Sequence, residues 1–121
     1  KQKGLTNRIL KNLEIQKIIN ETNYIDARVT KLNCNYFADE VMISFEDDDA
    51  EKILLFCECY KVHFNHTEQY KKQKPLKFCD IPQIPYFIQD IEVNEVDELY
   101  EIKINMNPMY IEIKCKSITV L

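Results

Sequence analysis

The sequence predicts an α+β fold: an N-terminal helix packed on a mostly antiparallel sheet of about six strands. Three observations carry this. Apolar residues recur every three to four positions only between residues 5 and 21. From Ile25 onward they alternate with polar residues instead. The strand-like segments are joined by hairpin-length connections, apart from one irregular crossover at 65–87. With 121 residues the chain has the size of a single domain, 1–121. Such a domain buries about two-thirds of its unfolded surface without disulfide staples.

Taken in order, the helix at 5–21 places Leu5, Ile9, Leu13, Ile18 and Ile19 on one face, with Leu10 beside them. Thr6 or Asn7 can cap its start, and it stops near Asn20–Asn23. Strands at 25–36 and 40–46 meet at Phe37-Ala38-Asp39-Glu40, and Val41, Ile43 and Phe45 share a face. The acidic stretch 46–51 reads as a loop. A strand at 52–64 follows, with Leu54, Phe56, Tyr60, Val62 and Phe64 on one side and Ile53, Leu55, Cys57 and Cys59 on the other. Its first half is apolar on both faces, which places it at the centre of the sheet. Residues 66–74 read as a short surface helix, and Pro75, Pro82 and Pro85 then keep the chain extended. Alternation returns at 87–93, 99–106 and 109–120. In the last strand Ile118 and Val120 have the opposite parity to Ile111 and Ile113, so a bulge is expected near Lys116–Ser117.

Composition excludes several functions. A single glycine rules out a glycine-rich phosphate loop. The chain has 16 Lys and Arg against 20 Asp and Glu, opposite in sign to a surface that neutralises phosphates, so no nucleic acid is expected as partner. No apolar run approaches the roughly 20 residues that span a bilayer, so no membrane is expected either. Five cysteines, at 34, 57, 59, 79 and 115, are an odd number without a secretory signal. They read as reduced thiols, which implies the cytoplasm.

The constellations that could carry chemistry are weak. Cys57-x-Cys59 with His63-x-x-His66 and Cys79 offers ligand types suited to zinc. Structural zinc pairs, however, are spaced C-x₂₋₄-C on a turn so that both sulfurs converge. Cys59 and His63 lie about 13 Å apart along an extended strand, too far for a nucleophile and its base. The acidic stretch lacks the glycine and the closing glutamate of a calcium loop. No metal, no cofactor and no enzyme activity are expected.

Charge is distributed unevenly. Five of the six residues at 46–51 are acidic, Glu92, Glu95, Asp97, Glu98 and Glu101 crowd a second hairpin, and basic residues gather at 1–17 and 71–77. Asp47, Asp48, Asp49 and Glu51, with Glu95, Asp97 and Glu98, are therefore candidate contacts for a basic partner. Tyr70 and Tyr86 are candidate anchors, since tyrosine is enriched in interface hot spots; Tyr60, Tyr100 and Tyr110 are further aromatics to place.

The layout also carries a resemblance. A short amphipathic helix leads into Tyr24-Ile25-Asp26-Ala27-Arg28-Val29, then Leu54-Leu55-Phe56, Val62-His63-Phe64 and the closing Tyr110-Ile111-Glu112-Ile113-Lys114-Cys115-Lys116-Ser117-Ile118. This resembles small bacterial immunity proteins of polymorphic toxin systems, including contact-dependent growth inhibition. Many such proteins carry His-Asp-Ala where this chain has Ile25-Asp26-Ala27, so no role is carried over to that position. The resemblance implies a cytoplasmic protein that binds a cognate toxin domain and neutralises it by occlusion, the toxin often being a nuclease with a basic active site. The alternative is a non-catalytic structural or adaptor module that uses a sheet edge or the acidic face.

Overall fold

Alternation of apolar and polar residues draws the chain into extended segments, each of which must cover its apolar face. The computed structural model describes residues 14–47, 50–67, 74–80 and 86–121, with backbone alone at residue 47. It contains six strands: β1 (Arg28–Asn35), β2 (Glu40–Asp47), β3 (Ala50–His66), β4 (Asp90–Val96), β5 (Leu99–Met106) and β6 (Met109–Val120). They form a six-stranded sheet in the order β1-β2-β3-β6-β5-β4, and every pairing is antiparallel. Residues 14–20 are helical (α1), residue 21 is already a turn, and residues 5–13 of the expected helix lie outside the described residues. Among the described residues of the crossover, Leu76–Phe78 form a 3-10 turn.

The inner face of the sheet is the core. Val41 on β2 lies opposite Phe56 on β3, and Ile43 opposite Leu54. Ile102 and Ile104 on β5 lie opposite Ile113 and Ile111 on β6, and all eight side chains are fully buried. The outer face carries half-buried Met42, Ile53 and Leu55 at β2–β3 and is polar across the later strands. His63, Glu112 and Lys103 stand in one row across β3, β6 and β5, and Lys61 reaches Glu112 at 3.0 Å.

β3 and β6 turn over together at their middle. Phe56 pairs with Ile118 and Cys59 with Cys115, and all four pack into or against the core. The spacing is therefore three residues on both strands, so inward parity changes at Cys57–Glu58 and at Lys116–Ser117. The parity change expected at Lys116–Ser117 is present, but the register shift lies on β3, between Cys59 and Lys61. Glu58 takes the left-handed conformation, φ 55°. This corrects the expected facing of β3. Tyr60 does not join Leu54 and Phe56 but is 64% exposed, while Cys59 turns inward.

The crossover brings the free edge of β1 into contact with the start of β4. The Asp26 amide donates to the Ile88 carbonyl at 2.7 Å, the Ile88 amide to Ala27 at 3.0 Å, and the Val29 amide to Tyr86 at 2.9 Å. Arg28 forms a bridge with Phe87 and lays its guanidinium 4.7 Å from the ring centroid. Residues 87 and 88 thus pair with β1, and regular β4 pairing begins at Asp90, later than the expected 87. β1 likewise begins at Arg28 and not at 25, because Asp26 has φ 63° and the Ala27 amide closes a turn onto Tyr24. His66 ends β3 opposite Met109 where a surface helix was expected to start; residues 68–73 lie outside the described residues.

The β4 edge is covered by side chains. Gln16 of α1 donates its Nε2 to the Ile91 carbonyl at 3.0 Å and accepts the Val93 amide on Oε1 at 2.8 Å. The Tyr24 hydroxyl accepts the Ile91 amide at 3.3 Å. Ile19 is fully buried, and Thr22 caps its carbonyl at 2.6 Å.

Candidate functional site

The cysteines and histidines do not converge. Among the described residues no three His, Cys, Asp or Glu side chains are placed to hold a metal ion. His66 Nε2 lies 2.6 Å from the Tyr86 hydroxyl, and His63 faces outward on the opposite side of β3's strand pair from the core. A cleft of about 540 Å³ beside the β5–β6 hairpin is lined by Asn65, His66, Asn105, Asn107 and Tyr110, amides, an imidazole and a phenol with no carboxylate among them.

All five cysteines are free thiols. Burial pushes the Cys59 thiol up to about 11, with Asp39 adding to the shift. Burial, and then Cys59 across the strand pair, push Cys115 up to about 12. Neutral thiols at these positions are poor nucleophiles at physiological pH. With iodoacetamide at pH 8, exposed Cys34 should be alkylated first and Cys115 only on unfolding, which peptide mass mapping over time would show. A raised folded-state value also sets the sign in alkali. The contribution of both thiols is complete below their unfolded value near 9 and is lost as pH climbs toward 11–12.

The acidic residues occupy two hairpins. In the stretch expected as a loop, residues 46–47 instead continue β2 and residues 50–51 begin β3: Glu46 pairs with Glu51, and Asp47 with Ala50. Only Asp48 and Asp49 separate the strands, and they lie outside the described residues. Glu46 and Glu51 are exposed and directly opposite, a like-charged pair that weakens the hairpin. On the other side of β6, Asp97 and Glu98 form the two-residue turn between β4 and β5. Both have positive φ, 52° and 68°, the geometry that Asn-Gly usually supplies. Glu95 is half-buried, and its Oε2 has no hydrogen-bond partner among the described residues.

The aromatic candidates sort differently from expectation. Tyr86 is buried in the core, its hydroxyl against His66, so it cannot serve as a surface anchor; the pairing of 86–88 with β1 draws it in. Tyr70 lies outside the described residues. Tyr100 is buried, and Tyr110 is half-buried with its hydroxyl donating to Glu112 at 3.3 Å.

The most exposed aromatics are elsewhere. The β1–β2 connection, residues 36–39, holds Tyr36 at 75% exposure and Phe37 at 106%. Tyr36, Phe37 and Ala38 all have positive φ, at 54°, 55° and 69°. Each costs of order 1–2 kcal/mol for a side chain with a Cβ. The turn is held by the Asp39 amide donating to Tyr36 at 3.0 Å, by Asn35 Nδ2 donating to Glu40 at 3.0 Å, and by the Cys59 amide donating to the Asp39 carbonyl at 2.9 Å. Two aromatics in a four-residue connector without glycine are the sequence signal that could have revealed it.

A family model described as Immunity protein PIM7 matches residues 11–121. The chain belongs to this immunity protein family. Membership places it among the bacterial immunity proteins of polymorphic toxin systems, whose general role is toxin neutralisation. The fold also resembles a crystal structure of an uncharacterized protein from Neisseria gonorrhoeae, with TM-score 0.61 and 15% identity, over 80% of this chain and 91% of that one. No curated protein matches the sequence. No helix among the described residues is long and apolar enough to cross a membrane.

Proposed function

We propose that this immunity protein binds the toxin domain encoded with it in the cytoplasm and neutralises it by occlusion, catalysing no reaction. The family match over residues 11–121 carries the reading. The acidic excess and the exposed Glu46–Glu51 pair support a basic toxin, such as a nuclease, as the partner. Holding like charges together costs the hairpin a little, and a cationic surface arriving opposite them relieves that repulsion. Asp47, Asp48, Asp49 and Glu51 then steer the encounter, with Asp97 and Glu98 as a second acidic group.

The test mixes the chain with the C-terminal domain of the neighbouring toxin and follows co-elution in size-exclusion chromatography and loss of toxin activity. Neutralising Asp47, Asp48 and Asp49 to Asn and Glu51 to Gln should leave the fold intact, since losing the Glu51 charge also removes its repulsion with Glu46. Association should slow by about tenfold at low salt, and the difference should shrink as salt rises. Failure of the wild-type chain to bind or inhibit the toxin would reject the reading. An unchanged association rate in the variant would reject the steering role alone.

A further inference from the structure

Beyond steering, a toxin needs a place to be gripped. We propose that the β1–β2 turn, with Tyr36 and Phe37 at its tip inside a rim of Asp39, Glu40 and Glu58, is the anchor that inserts into an apolar pocket edged by Arg and Lys on the toxin. The inference rests on the toxin-neutralising reading above and names the surface that carries it out.

An aromatic ring standing free in water is the opposite of what folding favours, and Phe37 is exposed at 106%. A turn without a function at these dihedral angles would take Gly, Asn or Asp, which adopt positive φ readily. Here the chain places a phenol and a phenyl ring there, and fixes the backbone that carries them. The Cys59 amide ties the turn to β3 where Glu58 has φ 55°, so the tip is mounted on the central strand. A preorganised aromatic tip loses little entropy on binding.

Charge identifies the partner. Asp39 and Glu40 belong to the turn or the residue after it, and Glu58 precedes the Cys59 that holds it. Lys116 offsets one of the three, lying 3.9 Å from Glu58 and 5.7 Å from the ring centroid of exposed Tyr60. Asp39 and Glu40 form no ion pair among the described residues. A surface that covers the rings therefore has to bring its own cations, and Arg suits best because its guanidinium both pairs with carboxylates and stacks on aromatic faces.

The test uses the full chain with Tyr36→Asn and Phe37→Gly together, measuring melting temperature and toxin binding. The new residues accept the left-handed backbone more easily, so the melting temperature should hold or rise. Toxin affinity should fall at least about 30-fold, mainly through faster dissociation. Phe37→Asn alone keeps the test decisive should the double variant melt early, with an expected loss of at least about tenfold. Affinity within about threefold of wild type in a folded variant overturns the anchor while leaving the immunity role standing. No complex with the wild-type chain overturns both.

Discussion

Phe56→Ala should lower the free energy of unfolding by about 3–5 kcal/mol. Phe56 is fully buried on β3, opposite Val41 on one side and Ile118 on the other. Both neighbouring strands are fixed by their own ladders, so the backbone cannot collapse into the space the ring leaves. The cost is then the lost transfer energy plus an unfilled cavity. Against a typical domain stability of about 5–15 kcal/mol this is a large fraction. Urea titration would show the midpoint falling with little change in slope. Leu55→Ala, on the other face and only half-buried, should cost clearly less. A change below about 1 kcal/mol for Phe56→Ala would contradict its inward orientation.

Gln16→Ala should have the second-largest effect, and of a different kind. The Gln16 amide acts as one more rung of the sheet, donating to Ile91 and accepting from Val93. Its removal deletes the two hydrogen bonds to β4, about 2 kcal/mol at the usual net value near 1 kcal/mol each, along with an exposed one to Asn20. It also opens the β4 edge to pairing with another chain. Light scattering should show concentration-dependent self-association in the variant and none in the wild type. A stable, monodisperse Gln16→Ala protein would mean that Tyr24, which also bonds Ile91, protects the edge alone.

How much of this was legible in the sequence depended on whether the deciding force was local. The alternation of Val41, Ile43 and Phe45 is a local pattern, and all three are fully buried. The antiparallel sheet of six strands follows from the same signal. Tyr60 was misplaced because parity on β3 flips at Glu58, a residue with no intrinsic preference for the left-handed conformation it takes. Tyr86 was misplaced because its burial comes from pairing with β1, more than fifty residues away, which no periodicity encodes. The acidic stretch looked like a loop since consecutive charges do not alternate with apolar residues, yet Glu46 and Glu51 remain in register to the end of the hairpin. For the site, charge was readable and aromatic exposure was not. A tyrosine on a strand is inward or outward according to register, whereas the exposure of Phe37 follows from a turn whose backbone shape the sequence disguises.

The central β3–β6 pair has a consequence for how the protein is made. β3 is complete 43 residues before β6 begins. At about 5–20 residues per second, a ribosome needs roughly 2–9 s to deliver the missing neighbour. Throughout that interval β1–β2–β3 can form as a meander of local hairpins, but the far edge of the 17-residue β3 stands open. Adjacent ribosomes on one message hold several such edges close together, in identical register. Lys52, Glu58 and Lys61 interrupt the apolar run of β3, and charges on an open edge discourage like strands from pairing. Besides the contacts Lys61 and Glu58 make in the finished sheet, these charges serve the protein in those few seconds, before the sheet is whole.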